Sequence, residues 1–183
     1  MTSDNLANPG PLGLLGFGLT TILLSVHNLG FFGADKTIMV CAIFLGGLAQ
    51  VIAGLIEFKR NKPFTATVFT FFGMFWLAYA ALHFQTGFLG PQDPTSTATM
   101  FLLFTILVGV LLLGTLKGPK TFMVAFLLLF ITLLTLTVAA YTGEEIAYRV
   151  GGAFGLATGA LVFYIASAEI LNEQYQKPVL PLF

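Results

Sequence analysis

Charged side chains are scarce in this sequence. Asp, Glu, Lys and Arg make up 9% of its residues, whereas a typical soluble domain contains about 25%. Hydrophobic residues make up 57%, and the two values together argue for an integral membrane protein rather than a soluble domain. Lys and Arg number eight, as do Asp and Glu, so the chain offers no basic surface for nucleic acid.

Cysteine and catalytic motifs are also nearly absent. Cys41 is the single cysteine, which excludes an intramolecular disulfide and a cysteine-rich metal site, and its apolar neighbours predict an inert buried thiol. The sequence holds no HExxH motif, catalytic-serine elbow, Walker loop or acidic cluster. We therefore expect no enzyme activity, no ATP-driven pumping, no metal and no cofactor. The first residues contain Asp4 and no basic residue, so a secretory signal is not expected.

Long apolar runs are present in place of these features. Each is long enough to cross a hydrocarbon core about 30 Å thick as a helix, and none shows the alternating polarity of a β-barrel strand. The short connections predict an all-α membrane protein with one six-helix domain over residues 1–183. Three spans in each half are compatible with inverted repeats, although no residue-level repeat supports them. The predicted spans are residues 12–32, 37–56, 66–84, 98–116, 121–141 and 146–168.

The Lys and Arg residues predict the orientation, because cytoplasmic loops carry an excess of both. Six of them lie after the second and fourth spans and in the C-terminal tail, and two lie on the other side. Both termini are therefore predicted to be cytoplasmic, in an inner or plasma membrane with lipid around the spans. The two groups are Lys59, Arg60, Lys62, Lys117, Lys120 and Lys177 on one side, and Lys36 and Arg149 on the other.

The first span holds more polar residues than a lipid-facing helix needs. It opens with Asn8 as a predicted N-cap and Pro9 as the first helical residue. Polar groups inside a bilayer find partners within the protein or line a wet cavity, so this helix is expected to face other helices or a pore. Its polar residues include Thr20, Thr21, Ser25, His27 and Asn28.

Two further patterns concern helix packing. The sixth span places small residues at a spacing of four, a pattern typical of close helix contact, either within one protomer or at a subunit interface. The fifth span contains three threonines, whose hydroxyl groups are expected to bond their own helix backbone. The small residues are Ala147, Gly151, Gly155 and Gly159, and the threonines are Thr132, Thr135 and Thr137.

Five other polar residues within or beside the spans each allow two or more interpretations. Gln50 is either a hydrogen-bonded link between helices or a pore-lining group. Glu57 and Glu169 are either ordinary helix termini or vestibule carboxylates that carry a proton. His27 and His83 are interhelical hydrogen-bonding groups, pH-sensitive groups at a pore mouth or ligands of a haem.

Several long motifs, in order along nearly the whole chain, carry a family resemblance. They begin with NPGPLGLLGFGLTTILLSVHNLGFF at residues 8–32, which is similar to a signature NPAPLGL…GFG.TT. On these motifs the chain resembles the microbial acetate uptake transporter family, the acetate/succinate permeases. The other motifs are GGLAQ at 46–50, AGLIEFK at 53–59, FTFFGMFW at 69–76, GTLKG at 114–118 and EILNEQY at 169–175.

The resemblance implies six-helix protomers in a ring of six, each with its own pore for small monocarboxylates, chiefly acetate and in some members succinate. It also implies a narrow apolar constriction formed by Phe17, Phe72 and Leu129. Phe72 stands where bacterial relatives have tyrosine, and Leu129 is placed by counting from the GTLKG motif. The residues expected to hold the substrate are Asn8, Thr20, Thr21, Asn28 and Gln50.

Two mechanisms follow for such a pore. A bare carboxylate is costly to desolvate, so either the constriction wets and acetate crosses as an ion, or a proton accompanies it. Two other classes of protein stay open: a haem-bearing electron-transfer subunit that uses His27 and His83, and a membrane scaffold without permeation.

Overall fold

The computed structural model describes residues 6–33, 36–83 and 93–183. These residues form six helices that are long and apolar enough to cross a membrane, and they contain no strand, which confirms the predicted all-α fold with six membrane-spanning helices. In chain order the helices are α1 (Gly10–Asn28), α2 (Lys36–Lys59), α3 (Pro63–His83), α4 (Pro94–Thr115), α5 (Lys120–Thr142) and α6 (Glu145–Tyr175).

Local chemistry explains where the helix ends differ from the predicted ones. The N-cap of α1 is Pro9 and not the predicted Asn8, and Pro9 precedes the helix instead of opening it. The Asn8 side chain lies one residue earlier and accepts a hydrogen bond from the backbone N–H of Gly10 at 3.0 Å. The helix ends at Asn28, before the predicted end at residue 32, because Gly30 takes a left-handed φ of 89° that stops helix propagation.

The other five helices all extend beyond their predicted spans at one end at least, and α4 and α6 extend the furthest. The start of α4 lies at Pro94, before the predicted residue 98, because the Asp93 carboxylate accepts hydrogen bonds from the N–H groups of Thr95 and Ser96. At the other end of the chain, α6 continues past the predicted residue 168 to Tyr175. The predicted end of the third span, residue 84, lies outside the described residues.

The six helices form a ring in which each packs against the next helix of the chain, α3 and α4 mainly through their side chains, and α6 returns to pack against α1. Between α3 and α4 aromatic rings provide the contact: Phe75 lies 4.7 Å from Phe104 between ring centroids and 6.1 Å from Phe101. Large side chains thus make the contact between these two helices.

The first helix is the innermost element. In its most apolar window 61% of residues are buried, against 33–44% in the other five helices. The small-residue stripe of α6 permits this placement, because a Cβ at Gly159 would lie 2.9 Å from the carbonyl oxygen of Gly18 in α1. Gly155 also faces α1, at Ser25, whereas Gly151 faces Leu136 in α5. The stripe therefore packs within the protomer, which is one of its two interpretations.

The second helix departs from regular α geometry in its middle, where Ala42–Ala49 is π-helical. Gly16 of α1 has no Cβ, and the Leu45 carbonyl oxygen of this segment lies so close that a Cβ there would clash with it. The π segment leads directly into Gln50, and such segments are often found at functional sites. Cys41, at its start, is half-buried rather than fully buried, so the prediction of a buried thiol is wrong in that respect.

Candidate functional site

Three cavities lie inside the ring of helices. The first, named the basal vestibule, is at the end where α1 begins; it has a volume of about 450 Å³ and includes Asn8, Glu57, Arg60 and Glu169 in its lining. The apical vestibule, at the opposite end, has a volume of about 220 Å³ and includes Asn28 and His83. Between them is a central cavity of about 40 Å³.

The central cavity brings together the three residues expected to form a constriction. Phe17, Phe72 and Leu129 all line it, and each is buried. The rings of Phe17 and Phe72 meet edge to face, with centroids 5.5 Å apart, which is a favoured geometry for an aromatic pair. A cavity of this size holds only a few water molecules, and its wall is mainly apolar, so its centre is a barrier to hydrated ions.

The central cavity joins the basal vestibule more directly than the apical one. Four lining residues are common to the central cavity and the basal vestibule: Leu14, Phe69, Phe122 and Phe126. None of the residues that line the central cavity also lines the apical vestibule. A chain of rings on that side runs from Phe72 through Phe104 to Phe75, with centroid separations of 6.3 and 4.7 Å.

Gln50 is the predicted substrate-binding residue that reaches the central cavity. The π segment of α2 ends directly before it, and its side chain is 1% exposed. Its Oε1 atom has no hydrogen-bond partner among the described residues. Since buried polar groups normally have a partner, this amide oxygen is free to receive a donor from a permeating molecule.

A network of polar side chains crosses the basal vestibule. Arg60 donates to Glu57 at 2.9 Å and to Asn8 at 3.0 Å. Asn8 in turn donates to Glu169 at 3.2 Å. These contacts connect the segment before α1 with the ends of α2 and α6, and they place three predicted residues in one cluster. The second carboxylate oxygen of Glu57 is buried and has no partner in the part of the chain that the structure describes, so this group retains hydrogen-bonding capacity.

The two histidines lie in different surroundings at the apical end. His83 lines the apical vestibule with Asn28, and its ring stacks on Tyr79 at 4.1 Å between centroids. The ring of His27 stacks on Phe32, and its Nδ1 lies 2.9 Å from the Phe32 carbonyl oxygen. Because His27 is not among the residues that line the apical vestibule, the described part of the chain gives the haem hypothesis no shared pocket.

The two threonines expected to hold substrate do not line any of these three cavities. Thr20 donates its hydroxyl to the Gly16 carbonyl at 2.8 Å and lies 3.3 Å from the Cys41 carbonyl of α2. The hydroxyl oxygen of Thr21 is buried without a partner in the described residues. The structure thus places Thr20 at a helix contact, whereas Thr21 has an unused polar atom.

Sequence reasoning missed one residue that lines the basal vestibule, Arg60, and a pair of aromatic rings that pack between α3 and α4. In the sequence analysis Arg60 served only to predict the orientation of the helices in the membrane. Its position three residues after Glu57 is, however, the spacing of an ion pair on one face of a helix. Phe75 and Phe104 were not separated from the many other phenylalanines. Phe75 could have been found from Phe72, since residues three apart share a helix face, but Phe104 belongs to a different helix and its partner is not visible in the sequence.

Comparison with known proteins agrees with this arrangement. The succinate-acetate/proton symporter SatP of Escherichia coli K12 is 38% identical over 185 residues, which cover 100% of this chain and 98% of that protein. A solved structure of the bacterial acetate channel SatP has a TM-score of 0.92 and 38% identity, and the match covers 98% of this chain and 100% of that one. Ammonia transport outward protein 2 of Saccharomyces cerevisiae is 34% identical over 177 residues, or 92% of this chain and 63% of the yeast protein.

The match to a family is equally complete. The profile described as the GPR1/FUN34/yaaH family covers residues 1–182, which includes all six helices and all three cavities. With this match and the 38% identity to SatP, the chain belongs to the GPR1/FUN34/yaaH family.

Proposed function

We propose that this protein carries small monocarboxylates, chiefly acetate, through a pore inside each protomer, with succinate as a second candidate substrate. It is a multi-pass plasma-membrane transport protein and not an enzyme, as its relatives indicate. The observation that carries the proposal is the narrow apolar cavity between two larger polar vestibules. A membrane scaffold has no need of such a succession of cavities.

In this proposal Phe17, Phe72 and Leu129 form the barrier to permeation. This assignment is supported by their position, because all three side chains are buried and line the same cavity of about 40 Å³. Truncation of Phe17 to alanine removes the edge-to-face contact with Phe72, which contributes about 0.5–1.5 kcal/mol. We therefore expect the variant Phe17→Ala to raise acetate flux several-fold, and an unchanged flux would contradict the assignment.

The proposed binding residues divide according to the cavity in which they lie. Asn8 and Asn28 would hold a carboxylate in the basal and apical vestibules, and Gln50 would meet it at the centre. Thr20 and Thr21 line none of the three cavities, so we place them beside the permeation pathway and not in it. The proposed groups for proton exchange are Glu57 and Glu169 at the basal end and His83 and His27 at the apical end.

Orientation and assembly also belong to the proposal. Lys59, Arg60, Lys62, Lys117 and Lys120 lie at or beside the basal helix ends, which supports a cytoplasmic basal vestibule and cytoplasmic termini. A single domain over residues 1–183 is supported by the family match to residues 1–182. We further propose a hexamer, with the large apolar side chains exposed on the outside of the helix ring divided between subunit contacts and lipid.

Labelled-acetate uptake into proteoliposomes tests the function directly. Uptake is measured at a fixed acetate gradient, with and without an imposed pH gradient, and the current is recorded in parallel. Uptake with a matching anionic current, indifferent to the pH gradient, indicates a channel. Electrically silent uptake that follows the pH gradient indicates proton coupling. The absence of uptake in both conditions would contradict the proposal and favour the scaffold or electron-transfer hypotheses.

A further inference from the structure

The central cavity and the apical vestibule are separated by the same length of helix on α3 and on α5. On α3, Phe72 is the last residue that lines the central cavity, and Tyr79 is the first that lines the apical vestibule. On α5 the corresponding residues are Leu129 and Leu136. Each pair is seven residues apart in the sequence, which is two turns of helix, or about 10 Å. A molecule that leaves the central cavity toward the apical end must cross this layer.

Phe75 and Leu133 occupy the middle of the layer. Phe75 follows Phe72 by three residues and precedes Tyr79 by four, so it lies on the face of α3 that lines both cavities. Leu133 has the equivalent position on α5, and the two side chains are 7% and 5% exposed. The path between the cavities is therefore blocked by buried apolar side chains, which exclude water and hydrated ions.

Phe104 closes the same layer from α4. It follows Phe101, a residue that lines the apical vestibule, by three positions. Its ring packs against both apolar clusters of the protein, the one around the central cavity and the one around the apical vestibule. The ring centroid lies 4.7 Å from that of Phe75 and 6.3 Å from that of Phe72. Phe104 thus marks the place where the two clusters meet.

The contact between α3 and α4 is the part of the helix ring best suited to open. It is made by aromatic rings, and a ring moves by rotation about its χ angles while both helices stay in place. On its other side α4 is joined to α5 by the buried hydroxyl groups of Thr105 and Thr137, 3.1 Å apart. The contact of α6 with α1 is a close backbone approach at Gly159 and Gly18, which side-chain rotation does not open.

We propose that Phe75 and Phe104 form a second barrier, the apical gate, in series with the central constriction. This inference rests on the proposed transport function and adds a separate step to it. A substrate that has passed Phe17, Phe72 and Leu129 enters the apical vestibule only when the two rings of the gate separate. The gate is closed in this structure, in which the central cavity shares lining residues with the basal vestibule and none with the apical one.

A matched pair of truncations tests the gate. Phe130 is half-buried like Phe104, packs against the central apolar cluster and lies beside Gly109 of α4, but it lines none of the three cavities. Initial uptake of labelled acetate into proteoliposomes should rise about two- to tenfold in Phe104→Ala, the range expected from the loss of one aromatic contact. It should stay unchanged in Phe130→Ala, and an equal rise in both variants would overturn the gate.

Two barriers in series also have a kinetic signature that a loosened core lacks. Once Leu129→Ala has lowered the central barrier, the apical gate limits a larger share of the rate. Phe104→Ala should therefore raise uptake by a larger factor in the Leu129→Ala background than in the unchanged protein. If Phe104 only supports the central constriction through its contact with Phe72, the factor is equal or smaller in that background, and the separate gate is refuted.

A metal bridge tests the gate without the removal of packing volume. Phe75→His combined with Phe104→His places two imidazoles where the ring centroids are 4.7 Å apart, close enough to share one Zn²⁺ through bonds of about 2.0–2.1 Å. Zn²⁺ should then reduce acetate uptake strongly, EDTA should restore it, and neither single substitution should respond in this way. A double variant that retains one Zn²⁺ per chain and still transports at its metal-free rate would overturn the inference.

The unchanged protein, reconstituted in parallel, distinguishes a failure of the gate from a failure of the proposed function. If it takes up no labelled acetate, the proposed function fails and the gate fails with it. If it takes up acetate, but neither Phe104→Ala nor the metal bridge changes the rate, the proposed function stands and the apical gate is wrong.

Discussion

Replacement of Leu129 by alanine tests the barrier with a closely matched control. Leu129 lies on α5, is 7% exposed and lines the central cavity. Leu111 lies on α4 in the same apolar cluster and is also 7% exposed, but it does not line any of the three cavities described here. The two substitutions therefore remove the same atoms from equally buried positions, and only one of them widens the permeation path.

The structure sets the expected size of the effect. The isopropyl group that is lost represents about 2.4 kcal/mol, at about 0.8 kcal/mol for each buried carbon. If the whole of this contribution opposes passage of the substrate, its removal raises the flux by about 60-fold, since about 1.4 kcal/mol corresponds to a factor of ten. Partial collapse of neighbouring side chains into the new space reduces the gain, so we expect an increase between about 3-fold and about 60-fold.

Initial uptake of labelled acetate into proteoliposomes measures the effect. The three proteins are reconstituted at equal density, and the thermal unfolding midpoint of each in detergent reports the loss of packing. Both variants should unfold at lower temperature than the unchanged protein, because each leaves a cavity in the apolar cluster. Only Leu129→Ala should raise the flux. An increase of equal size in Leu111→Ala, or none in Leu129→Ala, would refute the placement of the barrier.

Two further predictions concern stability. Arg60→Gln should destabilise the protein, because the Glu57 side chain is 4% exposed and loses its cation, but by less than the about 3–5 kcal/mol of a fully buried pair, since Arg60 is 23% exposed. Adding Glu57→Gln should restore much of the loss in thermal unfolding, and a double variant no more stable than Arg60→Gln would contradict the ion pair. Gly159→Ala should loosen the contact of α6 with α1, because the added Cβ meets the Gly18 carbonyl oxygen at 2.9 Å. The control is Gly118→Ala, whose Cβ meets one atom of the described residues, at 3.4 Å. The thermal unfolding midpoint should fall clearly more in Gly159→Ala than in this control.

Local features of the fold were accessible from the sequence because they depend on neighbouring residues. The three threonines Thr132, Thr135 and Thr137 donate to carbonyl groups of their own helix at 2.7–2.8 Å, as predicted. The bond that Asn8 accepts from Gly10 at the start of α1 is also local, between residues two apart, although the N-cap itself is Pro9. The start of α4 was placed too late because Asp93 extends the helix beyond the apolar run, and hydropathy does not register a polar capping residue.

The arrangement of the site was only partly accessible. The family resemblance selected Phe17, Phe72 and Leu129, and the structure brings them to one cavity. Apolar periodicity alone does not select them, because a chain with 20 phenylalanines offers apolar side chains on every helix face. The aromatic contact between Phe75 and Phe104 joins two helices, and no spacing within one helix reveals it.

The sequence by itself determined that this is a six-span membrane protein, since hydropathy over about 20 consecutive residues decides whether a segment leaves water. Tertiary structure alone decided which polar side chains reach the central cavity. Thr20 and Gln50 are both buried polar residues on packed helices, yet Thr20 bonds backbone carbonyl groups and Gln50 lines the cavity. The reason is that the rotation of each helix about its own axis is fixed by packing against neighbours distant in the chain, here through glycine contacts and aromatic rings.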